Sequence, residues 1–304
     1  MSRWIEIALT TDGEAAEAIA QELQPFCHQG VAIEQLGIQP GIWDDGDVPP
    51  TSQLCVRGYF ADDERAEETR QQIERVLGYL NMMYPMPTPE YRVVDEQDWA
   101  EAWKVNYHPV RLGRRILIRP LWVEVERQAD DIVISLDPGM AFGTGTHPTT
   151  QLCLEALEDQ VTPEIQTVLD LGCGSGILAI AAAKLGAQDI YAVDIDDLAV
   201  QITQENAEVN GVRSAIHAAK GSLEEVLATG QEFDLIVVNI LAKVIVPMCA
   251  QGLGRTVKPH GRAIFSGLIL DQVAEVEQAL IQTGLTPTHQ RVQGDWVVIE
   301  AVRA

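Results

Sequence analysis

Apolar and polar residues alternate in "WIEIAL" (4–9), a period of two that predicts a strand buried on one face. Ala, Ile and Leu then recur at helical spacing through "DGEAAEAIAQELQPF" (12–26), and "GVAIEQL" (30–36) returns to a strand pattern. The stretch "GIQPGIWDDGDVPPTS" (37–52) is loaded with Pro, Gly and Asp and reads as turns. A strand "LCVRGYF" (54–60), a long helix over 62–83 and a last strand near Tyr91 to Val94 complete the order βαββαβ. That order predicts a small ferredoxin-like α+β domain over residues 1–85.

Three prolines in "YPMPTPE" (84–90) predict a linker, and residues 86–136 read as a connection between domains. Within it "DEQDWAEAWKVNYHPV" (95–110) begins as a short helix, and "RLGRRILIRPLW" (111–122) reads as a hairpin about Gly113. Residues 137–304 read as one domain, in which strands and helices alternate from about 150 onward. Strand "TVLDLG" (167–172) precedes helix "GILAIAAAKLG" (176–186), and strand "DIYAVDI" (189–195) precedes helix "DLAVQITQENAEVNG" (197–211). Strand candidates at 214–219, 233–240 and 262–268 follow, with helices from Ala242 and Asp271 and two β-like segments at the end. Such alternation predicts a Rossmann-like α/β domain, a mostly parallel sheet with helices on both faces.

Composition narrows the function. The 304 residues allow two domains, and 46% hydrophobic content suits a sizeable core. The 45 acidic residues outnumber the 21 basic ones, giving a net charge of −24. A field of that sign repels nucleic-acid phosphates and draws basic partners, although solubility alone would also account for it. Arg111, Arg114, Arg115 and Arg119 form a basic island in this acidic chain, which reads most simply as a solvated hairpin face. Cys27, Cys55, Cys153, Cys173 and Cys249 are scattered, odd in number and without metal-type pairs. Free thiols in a reducing cytoplasm are expected, with no membrane span and no signal peptide, since the first residues turn acidic early.

Two glycine clusters hold the candidate chemistry: "AFGTGTHPTT" (141–150) and "LDLGCGSG" (169–176). Neither has the GxxxxGK[ST] pattern that would cradle phosphates with a lysine. Gly172, Gly174 and Gly176 are spaced GxGxG, and Ile177 stands where a dinucleotide turn wants its third glycine. The spacing suits a ligand without a pyrophosphate, approached closely at Gly172 and Gly174 where no Cβ intervenes. Asp170 can face a cationic group. Asp194, at the carboxyl end of the second strand, can accept two ribose hydroxyls. The competing reading is a tight strand–helix turn, with Asp196 or Asp197 capping the next helix. Thr149 and Thr150 open a helix whose spare N–H groups and hydroxyls can hold an anion. Phe142 can cover a ligand, and Gly143 and Gly145 let the loop fold close. His147 has no partner at metal spacing and reads as a loop residue bonded to backbone. No metal site is expected. Asn239, ending the strand "FDLIVVNI", can accept a hydrogen bond from an amine or merely cap the next helix.

Together "DLGCGSG" and "VDID" resemble the S-adenosylmethionine site of class I methyltransferases. The stretches "DWAEAW", "LDPGMAFGTGTHPTT", "LDLGCGSGILAIAAAKLGA", "VDID", "ENAEVNGV", "VVNILA" and "SGLI", between about 98 and 270, more narrowly resemble the bacterial methyltransferases of ribosomal large-subunit protein eleven. That resemblance implies methyl transfer from S-adenosylmethionine to lysine side chains and an α-amine of a basic ribosomal protein. It implies an N-terminal domain that recognises this protein. On charge grounds no direct nucleic-acid binding is expected, and the enzyme is expected to be a monomer. Cofactor contacts carry over to Thr150, Gly172, Asp194 and Asn239. Glutamine and adenine methyltransferases carry an Asn-Pro-Pro-Tyr type motif at the fourth strand, where this chain has Asn239, Ile240, Leu241 and Ala242. The alternatives are a methyltransferase of another protein or a small molecule, and a non-catalytic module that binds the cofactor without turning it over.

Overall fold

The computed structural model describes residues 3–11, 13–27, 31–35, 54–81, 87–95, 108–136, 145 and 147–304. It divides into two compact units, 1–108 with 138–142, and 109–137 with 143–304. The sequence expectations for the turn-rich stretch 37–52 and for Phe142 and Gly143 fall on residues outside the described set, as does the helix expected from Asp95 over its residues 96–107; Asp95 itself ends a strand, Glu90–Asp95.

The first unit carries β1 (Arg3–Thr11), α1 (Gly13–Leu23), β2 (Val31–Gln35), β3 (Leu54–Ala61), α2 (Ala66–Leu80) and β4 (Glu90–Asp95). Its sheet has the order β2-β3-β1-β4 with every neighbouring pair antiparallel, the ferredoxin-like arrangement. Ala16, Ile19, Ala20 and Leu23 share one face of α1, and Ile73, Leu77 and Leu80 one face of α2. Both stripes pack on Ile7, Leu9, Val56 and Phe60 of the sheet.

The second unit opens with β5 (Val110–Leu112), β6 (Ile116–Pro120) and β7 (Ile132–Leu136), a three-stranded sheet. The hairpin about Gly113 is there, but residues 109–136, assigned from the sequence to a connection, belong with this unit. Leu112, Ile116, Ile118, Ile134 and Leu136 join its main core. Arg111, Arg114 and Arg115 of the basic island are exposed, as a solvated hairpin face requires, and each is also ion-paired. Arg111 pairs with Asp131 at 2.6 Å, Arg114 with Asp159 at 2.6 Å and Arg115 with Glu158 at 3.2 Å. Arg119 donates to Ser135 Oγ and to the Val123 carbonyl.

The large sheet is built from β8 (Thr167–Leu171), β9 (Asp189–Asp194), β10 (Ile216–Lys220), β11 (Phe233–Asn239), β12 (Val257–Ile269), β13 (Leu285–Gln293) and β14 (Trp296–Arg303). Its order is β10-β9-β8-β11-β12-β14-β13. The first five strands run parallel, and β14 runs antiparallel to both its neighbours. The helices are α3 (Pro148–Gln160), α4 (Ile177–Leu185), α5 (Asp197–Val209), α6 (Leu223–Thr229), α7 (Ala242–Gln251) and α8 (Val273–Gln282). Strand β11 shows why the sheet is covered on both sides: Leu235 and Val237 enter one core, Ile236 and Val238 the other, all fully buried. Strands β8 and β11 are neighbours, and β9 and β10 continue on the far side of β8. Strand order therefore reverses between β8 and β11, where open α/β sheets leave a crevice at their carboxyl ends.

Candidate functional site

At that crevice the chain leaves β8 through a glycine turn. Gly172, Gly174 and Gly176 take φ values of +83°, +53° and +78°, a left-handed backbone that residues with a Cβ resist. At Gly172 the reason is also steric. A Cβ there would stand 2.7 Å from Ile240 Cγ2, so the bare position lets the ends of β8 and β11 converge. The turn is fastened to β9, because the Gly172 and Cys173 amides donate to the Val193 carbonyl at 2.7 and 3.1 Å.

Asp194 sits at the end of β9, half-buried, with both carboxylate oxygens held. Oδ2 accepts the Gly174 amide at 2.9 Å and Oδ1 the Asp196 amide at 3.0 Å. A carboxylate offers about four lone-pair sites, so each oxygen keeps a free one after these bonds. Asp196 caps α5 by accepting the Leu198 amide at 2.9 Å. The cap and the acceptor are thus two different residues, and Asp194 is not spent on the helix.

Asp170 turns inward. It is 1% exposed, and its carboxylate accepts the Ala179 amide of the first turn of α4 at 3.0 Å. Burial pushes its pKa up to about 7, with the charge of Asp194 adding to the rise. The sequence expectation that Asp170 faces a cationic group gives way to a place beneath the glycine turn, holding the start of α4.

The opening of α3 forms another wall. His147 is the N-cap, and its Nδ1 accepts the Thr149 amide at 3.3 Å and lies 2.7 Å from Thr149 Oγ1. The His147 carbonyl accepts the amides of Thr150 and Gln151 at 3.0 and 3.1 Å. His147 is therefore bonded to backbone, and the amides expected to hold an anion are taken by it. The Thr149 hydroxyl is engaged with His147 as well, so what the helix start still offers is the hydrogen of the Thr150 hydroxyl. Burial drives the imidazole pKa down to about 4, so the ring is neutral at physiological pH.

Asn239 ends β11, and its Nδ2 donates to Thr150 Oγ1 at 3.5 Å, joining two residues 89 positions apart. It does not cap α7, whose N-cap is Leu241. Beside Asn239 in register stands Ser266 of β12, followed by Gly267 at φ +85°. A Cβ on Gly267 would collide with the Ile240 backbone, and the ladder to β14 shifts register between Phe265 and Leu268. The His147 ring meets Trp296 edge-on, with centroids 4.8 Å apart. Sequence reasoning passed over Ile240, Gly267 and Trp296. Gly267 lay within "SGLI" without a role, and nothing near Trp296 in the chain announces its partner.

The structure therefore gathers Gly172, Gly174 and Asp194 in one wall of the crevice, and Thr150 and Asn239 in another, with Asp170 below. Bare main chain, a fixed acceptor carboxylate and uncharged side chains suit a ligand with a sugar and a positive centre better than an anion.

Comparison with known proteins agrees. The family described as "Ribosomal protein L11 methyltransferase (PrmA)" matches residues 3–304. The ribosomal protein L11 methyltransferase of Herpetosiphon aurantiacus is 41% identical over 314 residues, 97% of each chain. That of Chloroflexus aurantiacus is 42% identical over 319 residues, again 97% of each. The crystal structure of ribosomal protein L11 methylase from Lactobacillus delbrueckii subsp. bulgaricus superposes with a TM-score of 0.58 at 37% identity, over 65% of this chain and 99% of that one.

Proposed function

The chain belongs to the ribosomal protein L11 methyltransferase family, and from that premise we propose how its residues carry out amine methylation. It is an S-adenosylmethionine-dependent methyltransferase of ribosomal protein L11. Its targets are lysine side chains and the α-amine of that basic protein, and it works as a monomer in the cytoplasm, away from nucleic acid. Among the described residues no helix is long and apolar enough to cross a membrane.

Asp194 holds the two ribose hydroxyls on its remaining lone pairs, at about 1.5–3 kcal/mol for each hydrogen bond to a charged group. Gly172 and Gly174 offer main chain to the amino-acid part, with the Thr150 hydroxyl and Asn239 opposite. When bound, S-adenosylmethionine supplies an electrophilic methyl on a positive sulfur. That methyl would pass to the lone pair of a neutral amine, with the sulfur keeping the electron pair of the C–S bond.

The amine has to arrive neutral. A lysine near its usual pKa of 10.4 needs a shift of about 3.4 units at pH 7, or about 4.6 kcal/mol. Desolvation supplies much of this, whereas an adjacent carboxylate would hold the proton on. The groups gathered about Asn239 support this division: Thr150, Ser266, neutral His147 and Trp296 carry no charge. The Asn239 carbonyl orients the amine, and the excess acidity of the surface draws the basic protein from a distance. The rest is orientation of the reactants.

The single observation that carries this reading is the Asp194 carboxylate, fixed by two backbone amides where the strand order reverses. Mass spectrometry of purified ribosomal proteins after incubation with enzyme and cofactor tests it. Methyl increments on lysine and α-amine positions of L11 are expected. Increments confined to other proteins or to small metabolites would overturn it, as would cofactor binding with no transfer in a single turnover.

A further inference from the structure

Because β14 runs antiparallel, its first residue and not its last lies at the edge of the sheet where the crevice opens. Two turns meet there. The Leu270 amide donates to the Asp295 carbonyl at 3.0 Å, stitching the turn at 269–272 to the turn at 293–296. The rim so formed is continuous with Asn239: Asn239 meets Thr150, His147 of the same helix start meets Trp296, and Gln293 bonds Gln151 at 2.9 Å.

The outer side of this rim is both apolar and acidic. Leu270 is 50% exposed and Val292 52% exposed, beside the exposed acids Asp271, Glu275 and Asp295. Some acids of this unit, among them Asp131, Asp159, Asp197 and Asp234, are paired with Arg or Lys, and others are not. Among the described residues no such pair involves Asp271, Glu275 or Asp295. Exposed apolar side chains bounded by unneutralised carboxylates match an extended segment whose own side chains are cationic with long aliphatic stems.

We propose that the rim at 269–275 and 292–296 docks the lysine-bearing segment of the protein substrate and aims its amine toward Asn239. This rests on the reading of the substrate as a basic ribosomal protein. Leu270 and Val292 take the aliphatic stems, while Asp271, Glu275 and Asp295 answer the neighbouring positive charges. The acids stand outside the crevice, so they attract the segment without holding the proton on the amine that reacts.

Two single variants of the full chain test this, Asp295→Lys and Leu270→Ser, each assayed with intact L11 and with lysine amide as a minimal acceptor. Cofactor affinity by calorimetry serves as the check on folding, and neither substitution removes the backbone bond between the turns. Each variant is expected to raise KM for L11 by about tenfold, with kcat and cofactor affinity within about twofold. The Asp295→Lys effect should shrink as salt is raised, and transfer to lysine amide should be unchanged. An unchanged KM for L11 in both variants, with the wild type active, overturns the docking surface alone. Absence of transfer to L11 by the wild type overturns the functional reading as well.

Discussion

The Gly174 amide donates to Asp194 Oδ2 at 2.9 Å, so the turn that leaves one strand positions the acid that ends the next. The acceptor is set before any ligand arrives, and binding need not order it. Asp194→Ala should therefore weaken S-adenosylmethionine binding by at least about tenfold, the equivalent of one charged hydrogen bond. Calorimetry on the intact chain measures this, and an unaltered affinity would remove Asp194 from the cofactor site.

Asn239 differs in what it contributes. Replacing it with Asp keeps the shape and, on the proposed amine-orienting role, places a charge beside the amine that has to shed its proton. Asn239→Asp should slow single-turnover transfer to lysine by about tenfold or more, while cofactor affinity changes much less. Equal losses in both quantities would refute an amine-orienting role.

Gly172 makes a prediction about stability. Alanine there adds left-handed strain of about 1–2 kcal/mol and presses on Ile240 Cγ2, 2.7 Å away. Gly172→Ala should lower the denaturation midpoint, and the double variant with Ile240→Ala should show a favourable coupling of at least about 0.5 kcal/mol. A purely additive cycle would mean that the two strand ends do not depend on this contact.

Asp170 gives the fold a pH dependence of definite sign. Its pKa rises from 3.8 to about 7 in the folded chain. Between those values the folded state holds a proton that the unfolded state has lost, so this group's contribution to stability falls as pH rises through that window. Asp170→Asn keeps an acceptor for the Ala179 amide and removes the titration. The melting temperature of the variant should gain on the wild type between about pH 4 and about pH 7. A constant difference across that range would place the titration elsewhere.

How much of this was legible in the sequence follows from the range of each signal. The glycine turn, Asp194 and the alternation of β8 to β12 with their helices are local patterns and could be read directly. Helix α6 was also legible and was passed over. Ser222 and Glu225 form a capping box, with the Ser222 amide donating to Glu225 at 2.7 Å. Strand β7 had no such mark, because it pairs with β6 across an intervening loop and its apolar run fits several assignments. The contact of His147 with Trp296 depends on the last strand doubling back, which no local pattern encodes. The arginines of 111–119 were read as a solvated face, which Arg111, Arg114 and Arg115 are, but their partners Asp131, Glu158 and Asp159 lie up to 45 positions away and left no local mark.

The reversed direction of β14 has a practical result at its other end. Arg303 pairs in register with Leu285 and bonds the Val257 carbonyl where β12 begins, on the edge of the sheet opposite the glycine turn. A fluorophore or surface tether attached after Ala304 would therefore leave the reacting edge of this unit unobstructed, and immobilised enzyme should turn over its protein substrate as the free enzyme does.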